Sequence, residues 1–262
     1  MSTLETVADN ILEVSDVSLS FGGAKAINAF SFAVRRHEIC SLIGPNGAGK
    51  SSMLNILNGV YVPQEGTISF NGETFKRMQP LKVAAMGVAR MFQNNALFGK
   101  MTALENVMAG LSRKADSTVL AHALQLPSAR RETEEIVHKS EAALRFLDLE
   151  EFRDKVVESL SYGVQKRIGL ARALVSEPEI ILMDEPMAGM NKEEKQLMSQ
   201  YILDINKKLD ITVVLIEHDI SVVMNLSDHV VVLDYGRKLA DGTPEEVSNN
   251  PEVISAYLGA VH

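Results

Sequence analysis

Between residues 11 and 34 apolar and polar side chains alternate, with Leu12 and Val14, then Val17, Leu19 and Phe21, then Phe30, Phe32 and Val34 on the apolar side of the pattern. A period of two puts every second side chain on one face, so the stretch predicts half-buried antiparallel strands. Ile39-Cys40-Ser41-Leu42-Ile43 is a short, mostly apolar run that reads as a buried strand, and Lys50 to Leu57 reads as the first turns of a helix. Thr67 to Phe70 predicts a further strand, and the Asn71-Gly72 dipeptide behind it predicts a tight hairpin. Together these segments predict a β layer around the strand at 39–43.

The period changes near residue 94 and stays helical to about 159. Thr102-Ala103-Leu104-Glu105 has the capping-box spacing that opens a helix. Glu132 to Leu149 carries Ile136, Leu144 and Leu147 amid charged positions, as a surface helix does. Ser112 to Arg131 is polar and weakly periodic with Pro127 inside it, which predicts a linker within an otherwise helical insertion. After residue 160 helix and strand alternate. Val164 to Val175 predicts an amphipathic helix and Ile180 to Met183 a buried parallel strand. Glu193 to Leu209 predicts a helix with Leu197, Tyr201, Ile205 and Leu209 at four-residue spacing, and Thr212 to Ile216 a second buried strand. Val230 to Leu233 and Lys238 to Ala240 flank Asp234-Tyr235-Gly236-Arg237 as a closing hairpin, and Asn250-Pro251 with Gly259 bracket a last helix. This order implies a mostly parallel sheet wrapped by helices, with antiparallel strands beside it and a helical insertion.

Composition narrows the picture. A chain of 262 residues can bury one substantial core. No apolar run approaches the ~20 residues needed to cross a bilayer. Residues 1–10 include Glu5 and Asp9 and lack a basic stretch followed by an apolar one, so they do not read as a secretory signal. The formal charge of −8 argues against a broad nucleic-acid footprint, which needs a basic face. Cys40 is the one cysteine; it reads as a small buried hydrophobe, with no disulfide or zinc framework around it.

The chemistry begins at Gly44-Pro45-Asn46-Gly47-Ala48-Gly49-Lys50-Ser51, which completes a G-x-x-x-x-G-K-[ST] pattern between a predicted strand and a predicted helix. Glycines at 44, 47 and 49 let successive backbone N–H groups point inward, and the helix N-terminus adds partial positive charge. In such a cradle Lys50 reaches the β and γ phosphates of a nucleotide and the Ser51 hydroxyl ligates Mg²⁺. The strand at 180–183 ends in Asp184-Glu185, a carboxylate pair placed to face the phosphate loop. Asp184 is a candidate to hold Mg²⁺ through water, and Glu185 to polarise an attacking water. The next strand ends in Glu217-His218-Asp219, where His218 is placed to orient the γ-phosphate, the water or Glu185.

Leu160-Ser161-Tyr162-Gly163-Val164-Gln165-Lys166-Arg167 lies at a predicted helix start. Taken with the phosphate loop, Gln93, the Asp184-Glu185 pair and His218, it resembles the ATP-binding cassette (ABC) family, whose signature is Leu-Ser-Gly-Gly-Gln. The resemblance runs from Leu12 to about Gly259. It implies an α/β fold: a RecA-like P-loop NTPase core with a mostly parallel sheet, an antiparallel β subdomain and an inserted α-helical subdomain. On this reading residues 1–262 are a single ABC ATPase domain, with the core at 11–93 and 160–262 and the helical subdomain at about 94–159. Position by position it implies that Phe21 stacks on the adenine of ATP, Gly44 to Ser52 hold the triphosphate, and Gln93 senses Mg²⁺ and the γ-phosphate. Glu185 is the implied general base and His218 its switch partner. Ser161 and Gly163 are implied to touch the γ-phosphate of an ATP bound to a second subunit, and a serine hydroxyl with free helix N-terminal amides is a sound anion site in its own right.

Two positions depart from the family pattern. Val164 replaces the signature glutamine, and Asn191 stands where the following loop usually has aspartate, although Asn191 with Glu194 also makes a good helix cap. Phe92-Gln93-Asn94, Leu97-Phe98, Met101-Thr102, Glu105-Asn106 and the ending from Gly242-Thr243-Pro244 to Tyr257-Leu258-Gly259 look like the ATPase subunits of branched-chain amino acid importers. Lipopolysaccharide-export ATPases are similar in style. Either type implies a cytoplasmic protein on the inner face of the membrane, bound to separate permease subunits and to a second cassette that is identical or homologous; an importer further implies, indirectly, a solute-binding protein. The alternative of another class is a soluble ABC ATPase of DNA repair or translation, which generally carries tandem cassettes or a long coiled-coil insertion.

Overall fold

The computed structural model describes residues 9–93, 96–111 and 127–258. Two sheets organise it. Strands β1 (Asn10–Phe21), β2 (Ala24–Arg35), β4 (Glu65–Phe70) and β5 (Glu73–Phe75) form an antiparallel sheet in the order β2-β1-β4-β5. Strands β3 (Ile39–Ile43), β6 (Val88–Met91), β7 (Ile180–Asp184), β8 (Thr212–Ile216), β9 (His229–Asp234) and β10 (Arg237–Gly242) form the second sheet, ordered β10-β9-β3-β8-β7-β6. All its pairings are parallel except the β9–β10 hairpin.

Every residue of β3, β7 and β8 is buried, as strands covered on both faces must be. Their side chains divide by parity. Val213 and Leu215 of β8, with Ile181 and Met183 of β7, join the core beneath the helices. Val214 and Ile216, with Ile180 and Leu182, join the core shared with the antiparallel sheet and α1 (Lys50–Leu57). The central sheet therefore separates two apolar layers, and each buried Val, Leu or Ile side chain contributes roughly 1.5–3 kcal/mol. Asn71 and Gly72 both take left-handed φ values, 50° and 78°, as the hairpin between β4 and β5 requires.

Between β6 and the signature segment the described chain is helical: α3 (Ala103–Met108), α4 (Pro127–Phe146) and short 3₁₀ turns, with α2 (Pro80–Ala85) preceding β6. Thr102 and Glu105 form the expected capping box on α3. Pro127 opens α4 rather than lying inside a linker, because proline at a first helical position lacks only an N–H that would have gone unbonded there. The rest of the expected linker, 112–126, lies outside the described residues. The helix α5 (Tyr162–Leu174) follows, then α6 (Lys192–Leu209) and α7 (Ile220–Leu226).

On α6 the expected apolar ladder is corrected. Met198, Tyr201, Ile202 and Ile205 are buried, whereas Leu197 and Leu209 are 40% and 41% exposed. At 3.6 residues per turn, steps of four drift by about 40° each, so the two ends of a strict four-residue ladder leave the core face. The last segment opens where expected: Asn250 caps an α-helical turn at Pro251–Val253, which continues as a π-helical turn over Ile254–Leu258, and Gly259 lies outside the described residues. Cys40 is buried, and burial pushes its thiol pKa up, in keeping with a packing role. Among the described residues no helix is long and apolar enough to cross a membrane.

Candidate active site

The phosphate loop joins β3 to α1 at the residues its sequence specified, and its glycines are required for two reasons. Gly44 (φ +149°) and Gly49 (φ +110°) adopt conformations that side-chain-bearing residues rarely reach, and a Cβ on either would collide with the carbonyl oxygen of Leu233 or Ala26. Gly47 (φ +82°) has open space around it, so backbone conformation alone demands glycine there. The Gly236 amide donates to the Ala48 carbonyl at 2.8 Å, which braces the loop against the β9–β10 hairpin. Lys50 is almost fully buried, and its Nζ donates to the carbonyl oxygens of Gly44 (2.7 Å) and Pro45 (2.9 Å). Burial pulls its pKa down, while Glu185 and then Asp184 oppose that shift.

Gly44, Pro45 and Asn46 line an open cleft of about 370 Å³ together with Glu185 and His218. The Gln93 amide donates to Glu185 Oε2 at 2.8 Å. Tertiary structure thus brings together the loop, the acid at the tip of β7, the histidine behind β8 and the glutamine behind β6. Glu185 sits at φ +47°, a left-handed conformation that costs a non-glycine residue of order 1 kcal/mol, and its own amide donates to the Ile216 carbonyl at 3.0 Å. The strain is held in place by β8 and directs this side chain toward the cleft rather than along the strand.

Asp184 is buried and paired through Oδ2 with Arg90 Nη2 at 3.0 Å, while Arg90 Nη1 donates to Asn55 at 2.7 Å. Burial pushes the Asp184 pKa up, and the Arg90 guanidinium works against that shift. Asp184 Oδ1 is buried and has no protein partner. An orphaned carboxylate oxygen, a serine hydroxyl and an amide oxygen are hard donors suited to Mg²⁺, which takes one or two carboxylates and completes its shell with water and phosphate. Among the described residues no cluster of three or more His, Cys, Asp or Glu forms a metal cage.

Phe21 lies apart from the cleft lining, 47% exposed, its ring edge-on to Tyr61 at 5.1 Å. Ser161 and Gly163 are not among the cleft residues either. Ser161 caps α5, accepting from the Val164 amide at 3.4 Å, and Gly163 packs so tightly on Glu194 that a Cβ would strike that carboxylate. Val164, in place of glutamine, is buried and joins the core beneath the helices. Asn191 makes the capping box with Glu194 on α6, accepting at 2.9 Å and donating its own amide at 3.1 Å.

Three buried groups bonded to residues around the cleft escaped sequence reasoning. Arg90 sits in a strand with no motif around it. Glu217 is buried, accepts from the Met187 amide at 3.0 Å and so ties the end of β8 to the loop after Glu185; burial pushes its pKa up. Lys166 is buried on α5. The signal for Glu217 was its place beside His218, whereas Lys166 carried none, because both faces of its helix are buried.

A glycine-rich phosphate loop after a buried parallel strand, an acidic pair at the tip of a neighbouring strand and a histidine behind the strand between them define a P-loop ATPase. The ABC transporter family model matches residues 27–188, and a model described as branched-chain amino acid ATP-binding cassette transporter matches 237–262. The chain belongs to the ATP-binding cassette family, among ABC transporter ATP-binding proteins of the branched-chain amino acid transport type. It is 41% identical over 249 residues to the high-affinity branched-chain amino acid transport ATP-binding protein BraF of Pseudomonas aeruginosa, covering 95% of this chain and 98% of the relative. The corresponding Escherichia coli K12 protein, LivG, is 38% identical over the same coverage. The crystal structure of the ADP conformation of MJ1267, an ATP-binding cassette of an ABC transporter, superposes with a TM-score of 0.83 at 30% identity, covering 95% of this chain and 99% of that one. A dimeric post-hydrolysis state of the cassette MJ0796 bound to ADP and Pi superposes with a TM-score of 0.75 at 25% identity, covering 89% and 98%.

Proposed function

We propose that this protein is the ATP-hydrolysing subunit of an importer for branched-chain amino acids, acting at the cytoplasmic face of the membrane on separate permease subunits, with a solute-binding protein delivering the cargo. The reading rests on the convergence of Gly44–Asn46, Gln93, Glu185 and His218 on one cleft in a chain of this family. The core at 11–93 and 160–262 holds the nucleotide, and the arm at about 94–159 passes movement to the permease.

Residues Gly44 to Ser52 hold the triphosphate through loop amides and the N-terminus of α1, and Phe21 stacks on the adenine. When γ-phosphate oxygens enter the cleft, Lys50 exchanges its two carbonyl acceptors for them, gaining charge-assisted hydrogen bonds. Ser51, Gln93 and Asp184 would hold Mg²⁺, which supplies charge neutralisation on the phosphate oxygens. Glu185 accepts the proton of the attacking water as general base; Gln93 holds its Oε2, and His218 orients the γ-phosphate side of the cleft. Ser161 and Gly163, which do not line their own cleft, complete the site of a second cassette, so two chains close head to tail over two ATP molecules and hydrolysis reopens them.

Light scattering with each nucleotide tests this directly. In a Glu185→Gln background MgATP is expected to shift the chain, alone or mixed with its partner cassette, from monomer toward dimer, and ADP to leave it monomeric, because only differential affinity moves such an equilibrium. Adding Ser161→Arg should abolish the shift while leaving fluorescent ATP binding at the phosphate loop intact. Parental turnover by Glu185→Gln in a contaminant-free assay removes the base assignment, and an ATP-driven dimer that tolerates Ser161→Arg removes the contact in trans.

A further inference from the structure

Among the described residues Lys166 is the longest charged side chain that the fold buries completely. A lysine takes such a position only where acceptors meet its ammonium group. Its Nζ donates to the Gln93 carbonyl oxygen at 2.7 Å and to the Glu185 carbonyl oxygen at 3.4 Å, and it lies 5.5 Å from the centre of the Tyr162 ring. The two carbonyls belong to the same pair of residues whose side chains meet at 2.8 Å in the cleft. One ammonium therefore fixes the backbone beneath both halves of the Gln93–Glu185 contact, joining the segment after β6, the tip of β7 and α5.

We propose that Lys166 is a positioning residue that ties the helix bearing Ser161 and Gly163 to the Gln93–Glu185 pair of this chain's own cleft. The proposal rests on the reading of Glu185 as base and of Ser161 and Gly163 as groups acting on a second chain's ATP. Lys166 is five residues from Ser161 along one helix, about 7.5 Å at 1.5 Å per residue. An α-helix of this length moves as a rigid element, so engagement of its N-terminus is felt at Nζ. The bond to Gln93 is well within normal length, whereas the bond to Glu185 is at the edge of it. A displacement of about half an ångström makes or breaks that second bond. Closure of the dimer then tightens the hold on the Glu185 backbone, which already sits in a strained conformation, and sets the carboxylate at the position from which it takes a proton. Neighbouring carboxylates favour the charged lysine here: burial lowers its pKa, and Glu217, Glu185 and Asp184 oppose that shift.

The test uses the full-length chain and separates positioning from nucleotide binding. Lys166→Met keeps the length and apolar stem and removes the donors; Lys166→Arg keeps a cation with several donors. A misplacement of about 1 Å in a catalytic group costs up to about a hundredfold. Lys166→Met is accordingly expected to lose ten- to a hundredfold in kcat while its Kd for fluorescent ATP stays within about twofold of the parent, and Lys166→Arg to recover most of the lost turnover. Parental kcat in the Met variant overturns the proposal. So does a proportional loss of kcat and ATP affinity that arginine does not rescue, which marks a merely structural lysine. Should the Met variant fail to fold, Lys166→Gln, a neutral donor able to reach one carbonyl, takes its place; an intermediate kcat supports the proposal and parental kcat overturns it. Glu185→Gln assayed alongside keeps the two readings distinguishable: parental turnover there refutes the base assignment itself, whatever Lys166 does.

Discussion

Replacing Arg90 by methionine isolates the contribution of a single buried contact. The Arg90–Asp184 pair has side chains only 7% and 6% exposed, and one Asp184 oxygen is already without a protein partner. Removing the guanidinium leaves the other oxygen orphaned as well, so a buried carboxylate remains with Lys166 as the positive charge that still opposes its burial. Breaking a buried pair on one side costs about 3–5 kcal/mol. Arg90 Nε is itself buried without an acceptor, and the loss of that unsatisfied donor offsets part of the penalty, which places the expected value near the lower end of the range. For a chain of this size each kcal/mol moves Tm by about 2–4 °C, so thermal unfolding near pH 7 should fall by roughly 6–12 °C. Lys100→Met is the control, because its partner Glu158 and Lys100 itself are 52% and 88% exposed and such pairs are worth less than about 1 kcal/mol. The pH dependence has a definite sign. With Arg90 gone the Asp184 pKa rises further above its ordinary value, so the deficit is full above that raised pKa and shrinks as pH falls and the carboxyl takes up its proton. Combining Arg90→Met with Asp184→Asn should recover much of the stability. A single variant that melts within 2 °C of the parent, a flat pH dependence, or a double variant no more stable than the single one would each refute the argument, the 2 °C margin being about the shift of a surface change.

Two further outcomes follow from the same structure. Lys50→Ala should weaken ATP binding itself, since it deletes the charge aimed at the phosphates, and equilibrium binding at parental affinity would show that the phosphate loop has been misplaced. Lys195 holds the Asp219 carboxyl at 2.8 Å and draws its pKa down to about 2, so that contribution is whole above Asp219's ordinary value near 3.8 and disappears as pH falls through about 2. Lys195→Met should therefore cost at most about 1 kcal/mol in urea unfolding at pH 6 and nothing measurable below about pH 2, a difference that stays constant across the range being the contrary result.

Much of the fold was legible because its determinants are local. The strand at Ile39–Ile43 has the limits its pattern predicted and the helix at Lys50–Leu57 starts where expected, since a run of buried residues, three glycines at positive φ and the helix that follows are all specified within nineteen consecutive positions. The capping boxes at Thr102–Glu105 and Asn191–Glu194 are likewise contacts three residues apart. Where period alone was the guide, the reading failed at the edges: Leu197 and Leu209 left the core face of α6, and Pro127 proved a helix start, because the neighbours that decide burial are far away in sequence.

The sequence by itself determined the phosphate loop, the acidic pair and the order of the elements, all of which depend on short-range geometry and on the alternation of buried faces. Tertiary structure alone decided what surrounds them. Arg90 reaches Asp184 across 94 positions, Gln93 reaches Glu185 across 92, and Lys166 reaches the Gln93 carbonyl across 73. A buried charge is tolerated only where its partners converge in three dimensions, and that convergence is set by the packing of β6, β7 and α5, which no local pattern of residues encodes.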